Sequence, residues 1–478
     1  MSLALLTLIL SCTGRISASA EIPKHYTELE FKPLAEIQLP EYDRYELDNG
    51  MVVYLLEDQD LPLISGTAIV RTGSRFEPDN QVGLASLTGD GMRSGGTKNH
   101  PPDQLNSILE QKAASVETSI STTSGSASFS TLTEDLDTVF PLFAEVLREP
   151  AFAPEKFAIA KKQQQGGIAR RNDDPGDIAS REFNKLIYGE SSPYARTVEY
   201  STLDSITLTD IKNFYKTYIR PENMILGLVG DFDSDVMIQK VQDAFGSWQV
   251  NSAKPVLDVP SATQKYKEGT FIVDRPKLTQ SNILLGHIGG QLDSPDYASL
   301  SVLNGVLNGF GGRLFNEVRS RQGLAYSVYG SWSPSYDHDG LFIAGGQTQT
   351  NNTVPFIKSI LSEIEKLRDE QVTEKELDNA KESILNSFVF NFQSPSQTLS
   401  RLMRYEYFDY PEDFIFDYQK KIQKTSQKDI QKVAQKYLQP SQLVTVVVGN
   451  KQAMNSSLDS LKTEITTLDV TIPQPSQS

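Results

Sequence analysis

The chain has 478 residues, more than a single hydrophobic core usually organises, and its length therefore predicts two or more domains. With 38% hydrophobic and 22% charged residues, the composition is typical of a soluble globular protein. The formal net charge of -16 repels nucleic acid and anionic lipid, so we expect no nucleic-acid partner.

The first twenty residues have the features of a signal peptide. Residues 3–10 form an apolar run that is too short to span a bilayer, and Ala18-Ser19-Ala20 follows as a cleavage pattern. We therefore expect residues 1–20 to be removed and the protein to be exported, to the periplasm. Lipidation at Cys12 is the less favoured alternative, because Leu10 is large where lipoprotein sites prefer small residues. No later segment has the ~20 uncharged apolar residues of a spanning helix, so no membrane span is predicted.

Strands and helices follow one another in the first half of the chain. The turn Asn49-Gly50 precedes a predicted strand at residues 51–57, and a second strand is predicted at 64–71. Apolar residues at helical spacing predict three helices, at residues 133–149, 154–171 and 178–187.

The second half begins after a proline-containing polar stretch, residues 251–269, which we interpret as a linker. Apolar patterns beyond it predict four strands and two long helices, at residues 271–273, 281–287, 326–333, 341–346, 353–368 and 373–392. Residues 466–478 are rich in Pro, Ser and Gln, and we expect a disordered tail there.

An internal repeat defines the architecture. The pattern Asp210-Ile211, Tyr218, Pro221 and Val229-Gly230 recurs 219 residues later as Asp429-Ile430, Tyr437, Pro440 and Val448-Gly449. In each copy a helix ends near a proline, and an apolar strand then runs to a glycine. The predicted fold is therefore α+β, with two homologous domains at residues 40–250 and 270–465. Each should be a mostly antiparallel sheet flanked by helices.

Four short segments also fall in an order that resembles a known family. They are Gly83-Leu84-Ala85 with Gly96-Thr97, Asp173-Asp174-Pro175, Pro221-Glu222-Asn223 with Val229-Gly230-Asp231, and Arg313-Leu314-Phe315 with Gly323-Leu324-Ala325-Tyr326. Together they resemble the pitrilysin/insulinase family of zinc peptidases, especially its bacterial branch similar to the mitochondrial processing peptidase. The resemblance spans about residues 40 to 465.

The resemblance also shows what this chain lacks. Active members carry the inverted zinc motif H-x-x-E-H in the first segment, and a second Glu further on completes three protein ligands. Here the two His positions are Ser86 and Asp90, the general-base position is Gly89, and the downstream ligand falls at Gly167. One carboxylate remains, so the resemblance implies no metal and no cofactor in this chain.

The residues alone support the same conclusion. The chain has four histidines, and the closest pair, His287 and His338, is 51 residues apart, so no helix turn carries two of them. A zinc site assembled from residues distant in sequence is the alternative that this spacing leaves open. We interpret Asp90, which lies between Gly89 and Gly91, as part of a helix C-terminal turn. Ser86 has no neighbouring histidine in sequence to activate it as a nucleophile.

The second half keeps a different pair of family residues. Catalytic assemblies of the family use an Arg and a Tyr, seven residues apart, that face zinc across a chamber and hydrogen-bond the substrate carbonyl and oxyanion. Arg319 and Tyr326 have that spacing, and Arg321 is the alternative arginine if the register differs by two residues. The alternative is that Arg319 is a surface charge and Tyr326 a strand residue that packs on the core.

The resemblance thus implies a non-catalytic subunit of a heterodimeric zinc metallopeptidase of the processing-peptidase type. The expected partner is a homologous subunit that carries the zinc motif and the zinc, and the expected substrate is a peptide that adds a strand to a sheet edge. The alternatives are a purely structural peptidase homologue and a peptide-binding protein that acts alone.

Overall fold

The computed structural model describes residues 39–309 and 311–475. The predicted signal peptide at residues 1–20, with Cys12, lies outside the described residues, as do the last three residues of the predicted tail. Within the described part of the chain, no helix combines the length and the apolar character needed to cross a membrane.

The first domain is built on a six-stranded sheet with the order β1-β2-β6-β3-β5-β4. β2 and β6 run parallel, whereas the other neighbours are antiparallel. The strands are β1 (Asp43–Glu46), β2 (Val52–Glu57), β3 (Leu63–Val70), β4 (Ser115–Ile120), β5 (Gly125–Leu132) and β6 (Met224–Gly230).

The second domain repeats this sheet in the order β12-β7-β11-β8-β10-β9. β7 is parallel to both β11 and β12, and the remaining neighbours are antiparallel. The strands are β7 (Gly269–Asp274), β8 (Gln280–Ile288), β9 (Ala325–Ser333), β10 (Leu341–Gln349), β11 (Val444–Gly449) and β12 (Ile465–Thr467). The predicted α+β fold of two homologous, mostly antiparallel sheets with flanking helices is confirmed.

Helices cover both sheets. In the first half of the chain they are α1 (Leu84–Ser94), α2 (Pro102–Gln111), α3 (Leu136–Arg148), α4 (Pro154–Arg170), α5 (Pro175–Tyr188), α6 (Tyr200–Ser205), α7 (Leu208–Tyr218) and α8 (Ser234–Val241). In the second half they are α9 (Tyr297–Leu307), α10 (Thr353–Asp369), α11 (Glu374–Ser387), α12 (Pro395–Tyr407), α13 (Phe414–Lys424) and α14 (Gln427–Tyr437).

The repeated aspartate of the sequence pattern starts the same helix in each domain. The backbone N–H of Thr207 donates to the carboxylate of Asp210 at 2.8 Å, and the N–H of Asp210 donates back to the Thr207 hydroxyl at 3.3 Å. Ser426 and Asp429 make the same reciprocal pair at 2.9 and 3.3 Å. Each pair is a capping box, which satisfies backbone donors that a helix start leaves unpaired. α7 and α14 therefore begin at equivalent positions in the two domains.

The two domains exchange one helix each. β6 and β11 are buried along their whole length, which explains why their sequences are continuous apolar runs. Helices of the same domain cover one face of each sheet. The other face of the second sheet is covered by α5 from the first half of the chain, and the other face of the first sheet is covered by α12 from the second half.

The exchange requires a glycine under α12. A Cβ on Gly227, in β6, would lie 2.3 Å from the sulfur of Met403 and 3.1 Å from a methyl of Leu399, so the helix packs directly on the strand backbone.

The predicted domain boundaries at residues 250 and 270 separate the two sheets. They place α5 in the first domain and α12 in the second, although each of these helices covers the sheet of the other domain.

A polar junction also ties the second domain to the first. A guanidinium nitrogen of Arg75 lies 2.7 Å from Asp337, and both side chains are largely buried. The ring of His338 donates to the same carboxylate at 2.9 Å and stacks on Tyr194 with 4.1 Å between ring centroids. Burial alone raises the pKa of Asp337, but the hydrogen bonds from His338 and Arg75 outweigh it and hold the pKa below its usual value.

The predicted disordered tail is ordered over its first residues. Thr466 and Thr467 extend β12 beside β7, and the N–H of Leu468 donates to the carbonyl of Ile272 at 2.8 Å. Val470 packs near α5, and its carbonyl accepts from the side chain of Asn172 at 2.7 Å. This part of the tail is therefore ordered against the rest of the chain, because Leu468 and Val470 pack beside the second sheet and α5, and Ile472 packs against the core of the first domain.

Candidate functional site

The degenerate zinc-motif positions lie on two packed helices of the first domain. Ser86, Gly89 and Asp90 are on α1, and Gly167 is on α4. The two helices are joined by a hydrogen bond in which the side-chain amide of Gln164 donates to the Ser86 hydroxyl at 3.1 Å. The structure thus places the four predicted positions on two helices that are in contact, and a polar contact lies between these helices.

A buried glutamate fixes the start of α1. The backbone N–H groups of Gly83 and Ala85 donate to the two carboxylate oxygens of Glu77 at 3.2 and 2.9 Å. Burial raises the pKa of Glu77, whereas these backbone donors lower it. Glu77 therefore takes the place of an N-cap side chain, since Gly83 has none to offer.

Gly89 lies where α1 makes its closest approach to the edge strand β4. A Cβ at this position would be 2.5 Å from the backbone nitrogen of Ile120 and 2.8 Å from the carbonyl carbon of Ser119. The hydroxyl of Thr118 also donates to the Gly89 carbonyl at 2.6 Å. A glutamate at position 89 would therefore require helix and strand to separate, so the general base is excluded here by packing as well as by sequence.

The expectation for Asp90 was wrong in one respect. Asp90 is an exposed residue in the middle of α1, which continues to Ser94 before ending at Gly95, so it is not part of a helix C-terminal turn. Gly167 has open space beside it, because nothing lies within 4 Å of a Cβ built there. A side chain at position 167 would meet no obstruction from neighbouring atoms.

The side chains at these positions do not fit zinc. A catalytic zinc site needs three protein ligands of the His, Cys, Asp or Glu type, and only Asp90 among the four positions is one. Over residues 39–309 and 311–475, no three such side chains come together in a way that could hold a metal ion. The alternative of a zinc site assembled from distant residues therefore finds no donor set in the described chain.

The three described histidines are engaged elsewhere. His100 pairs with Glu145 at 2.8 Å, and His338 lies at the domain junction. His287 is buried in β8, where one ring nitrogen faces the carbonyl of Ile288 at 2.6 Å and the other accepts from the backbone N–H of Gln439 at 3.2 Å. Burial lowers the pKa of His287. These contacts give His287 a structural role in the second sheet.

Arg319 and Tyr326 are brought together in the second domain. Arg319 lies in a π-helical turn, Phe315–Arg321, and Tyr326 is near the start of β9. Gly323 adopts a φ of 62° between them, which lets the chain reverse. The guanidinium carbon of Arg319 is 5.2 Å from the ring centroid of Tyr326, a cation–π distance.

A third residue, which the sequence reasoning did not identify, completes this group. The ring centroid of Phe315 lies 4.7 Å from the Arg319 guanidinium carbon, so the arginine contacts two aromatic rings. Phe315 stands four residues before Arg319, and this helical i, i+4 spacing was the available signal. The rings restrict the long arginine side chain without consuming its N–H donors.

The neighbouring arginine is engaged differently. Arg321 forms an ion pair with Glu317, one turn earlier in the same segment. Tyr326 is 81% exposed, an unusual value for a tyrosine in a strand.

β9 is an edge strand that pairs only with β10 among the described strands. On its outer side, the backbone groups of Gly330 and Trp332 are hydrogen-bonded to the side-chain amides of Asn308 and Asn304. Arg319 and Tyr326 therefore lie beside the start of this edge strand, ahead of the part that the two asparagines occupy.

Comparison with known proteins relates the chain to one family of peptidases. The family model described as insulinase (peptidase family M16) matches residues 64–192, and the model described as the peptidase M16 inactive domain matches residues 205–384. The chain is 26% identical over 366 residues to the uncharacterized zinc protease YmxG of Bacillus subtilis, a match that covers 75% of this chain and 86% of that protein.

Two further proteins show the same relationship. Zinc protease PqqE of Helicobacter pylori is 25% identical over 373 residues, which cover 76% of this chain and 82% of the relative. A crystal structure of a peptidase M16 inactive domain from Pseudomonas fluorescens shares the fold with a TM-score of 0.76 at 24% identity, and covers 87% of this chain and 99% of that chain. The chain therefore belongs to the insulinase family of peptidases, peptidase family M16.

Proposed function

We propose that this chain is the non-catalytic subunit of a heterodimeric zinc metallopeptidase. Its partner would be a homologous chain that carries the intact H-x-x-E-H motif and the zinc. The observation that carries the proposal is a contrast between the two domains. The metal-motif positions are occupied by Ser86, Gly89, Asp90 and Gly167, whereas Arg319 and Tyr326 remain grouped and accessible.

Arg319 and Tyr326 would act on the peptide bound in the partner's active site. An arginine is permanently charged and donates hydrogen bonds, and a phenol donates one to an oxyanion without being ionised. Placed near a scissile carbonyl, the two groups would stabilise the negative charge that develops on its oxygen. The cation–π contacts with Phe315 and Tyr326 support this role, because a donor that is already oriented loses less entropy when substrate binds.

The substrate class follows from the edge strand β9. An extended peptide can pair with the start of this strand, before Gly330 and Trp332, whose outer backbone groups are bonded to Asn308 and Asn304. Such pairing depends on the peptide backbone more than on its side chains. Tyr326 is exposed on this strand, so a peptide paired with β9 would pass beside the Arg319–Tyr326 pair. We further propose that the protein is exported to the periplasm, on the basis of the leader pattern in residues 1–20.

Co-expression with a homologue that carries the zinc motif tests the proposal. The expected result is a 1:1 complex on gel filtration that cleaves a fluorogenic peptide, while each chain alone is inactive. A homologue that is fully active by itself, and unchanged by this chain, would contradict the shared-site model. A 1:1 complex whose activity does not depend on Arg319 or Tyr326 would instead support a purely structural role.

A further inference from the structure

A cleft on the second domain is positively charged although the chain as a whole carries a net charge of -16. The arginine cleft, as we name it, has a volume of ≈ 410 Å³. It lies between the loop that follows β9, the short 3-10 segment Phe388–Phe392 and one side of α12. Its walls include Tyr336, Phe390, Asn391, Ser400, Arg401 and Arg404.

The two arginines of this cleft lack a countercharge. Arg401 and Arg404 lie three residues apart on α12, and no acidic residue lines the cleft in the described chain. Neither arginine forms an ion pair with a described residue. One terminal nitrogen of Arg401 donates to the side-chain carbonyl of Asn391 at 2.7 Å. Arg404 is exposed and lies 5.9 Å from the ring centroid of Tyr336.

The Nε of Arg401 is the atom that points to a ligand. It is buried and makes no hydrogen bond of good geometry to a described residue, although the Arg401 side chain also lies beside the Tyr405 hydroxyl. A buried donor without an acceptor is destabilising, and most such groups in proteins are paired. An anion in the cleft would supply that acceptor. A carboxylate fits particularly well, because its two oxygens match two parallel N–H donors of a guanidinium.

The other walls suit a peptide. Phe390 is 57% exposed and, with Tyr336, offers an apolar surface for a side chain next to the carboxylate. Gln397 and Ser400, which are exposed in the cleft, offer uncharged hydrogen-bonding groups of the kind that bind peptide amides. We infer that the arginine cleft binds a carboxylate of a peptide, either its C-terminal carboxylate or an Asp or Glu side chain. This inference rests on the proposed peptide-handling function, and it adds a charge preference that pairing through a strand edge does not supply.

Fluorescence anisotropy with the isolated full chain and labelled peptides tests this inference. One ten-residue peptide is made in four forms, with a free or amidated C-terminus and with Glu or Gln at an internal position. The expected loss is about tenfold to hundredfold in affinity when the recognised carboxylate is removed, at low salt. Loss on amidation identifies the C-terminus as the ligand, and loss on the Glu to Gln exchange identifies a side chain.

Variants of the cleft complete the test. Arg404→Gln and Arg401→Lys should weaken the binding of the carboxylate-bearing peptide by a similar factor. The affinity for the matched neutral peptide should stay unchanged. Arg170→Gln, at an exposed arginine of α4, is the matched control and should bind as the wild type does. Because Arg404 is exposed, its variant keeps the test decisive even if the Arg401 variant does not fold.

The outcomes separate this inference from the proposed function. If peptides bind equally with and without a carboxylate, and Arg404→Gln has no effect, the inference is wrong while peptide binding stands. If none of the four peptides binds, the peptide-binding part of the proposed function fails together with the inference. A carboxylate preference that survives Arg404→Gln and Arg401→Lys would place the anion elsewhere and would also overturn the inference.

Discussion

Replacing Tyr326 by phenylalanine separates a catalytic contribution from scaffolding. The change removes one hydroxyl and almost no volume. The side chain is 81% exposed, and its hydroxyl makes no hydrogen bond to a described residue, so folding loses no internal contact. The ring can still lie beside the guanidinium of Arg319. We therefore expect the free energy of unfolding to change by less than about 0.5 kcal/mol, as for most surface substitutions.

The expected effect on turnover is much larger. Removing one donor to a developing oxyanion typically reduces turnover by about 10²- to 10³-fold, which corresponds to roughly 3–4 kcal/mol of transition-state stabilisation. Substrate binding should change less, since the hydroxyl acts on charge that appears only in the transition state. The predicted signature is thus a fall in kcat with little change in KM.

The assay is cleavage of a short fluorogenic peptide by the reconstituted pair. Gel filtration confirms that the Tyr326→Phe chain still forms the complex, and thermal unfolding confirms that it is folded. A complex that assembles normally and retains full turnover would refute the reasoning, and the chain would then be a scaffold.

Three further predictions follow from other parts of the structure. Arg319→Lys should lower turnover of the pair with the assembly intact, because an ammonium cannot reproduce the guanidinium fork. Gly89→Ala should lower the free energy of unfolding by about 1–3 kcal/mol in denaturant titrations, because its Cβ would overlap β4. Asp337→Ala should cost about 3 kcal/mol, because it leaves Arg75 buried without its partner. Since the pKa of Asp337 is lowered on folding, its contribution should persist above the unfolded pKa and disappear as the pH falls through the folded one.

Each of these predictions has a matched control. Arg321→Lys should change turnover of the pair only slightly, because Arg321 forms an ion pair with Glu317. Equal losses of turnover at positions 319 and 321 would argue against a specific role of Arg319. Gly167→Ala should stabilise by about 0.5–1 kcal/mol, as Ala does in an unobstructed helix, and a loss like that at Gly89 would contradict the packing argument. Asp417→Ala removes an exposed helix pair and should cost less than about 1 kcal/mol. If Asp337→Ala cost as little as Asp417→Ala, the buried pair at the domain junction would contribute no more to stability than an exposed ion pair does.

The duplication allowed the fold to be predicted, since the repeated pattern marks a capping box, a helix end and a central strand in both domains. The strands β4 and β5 were not predicted. Their sequences are rich in Ser and Thr, and the alternation of buried and exposed positions is weak in hydrophobicity because several buried positions, such as Gly125, Ala127 and Thr131, hold small or polar residues. The pairing of β5 with β3, and of β4 with β5, supplies their stability instead, and sequence patterns do not reveal such contacts.

In the candidate site, too, features encoded by nearby residues could be predicted, whereas contacts between distant segments could not. The family resemblance, through its seven-residue spacing, predicted the pair Arg319 and Tyr326, and the structure places their side chains in contact, while their catalytic use remains a prediction. The exchange of α5 and α12 could not be read from sequence, because an amphipathic helix does not specify which of two similar sheets it covers. The obstruction beside Gly89 was likewise invisible, since it depends on a strand that lies thirty residues away.

The zinc content of the purified proteins tests the central claim most directly. The mature chain, dialysed against metal-free buffer and analysed by elemental mass spectrometry, should hold no stoichiometric zinc, and a 1:1 complex with its partner should hold one zinc per complex. The donor set at Ser86, Gly89, Asp90 and Gly167 supports this expectation. About one tightly held zinc per isolated chain would contradict the account, because this subunit would then carry a metal site of its own.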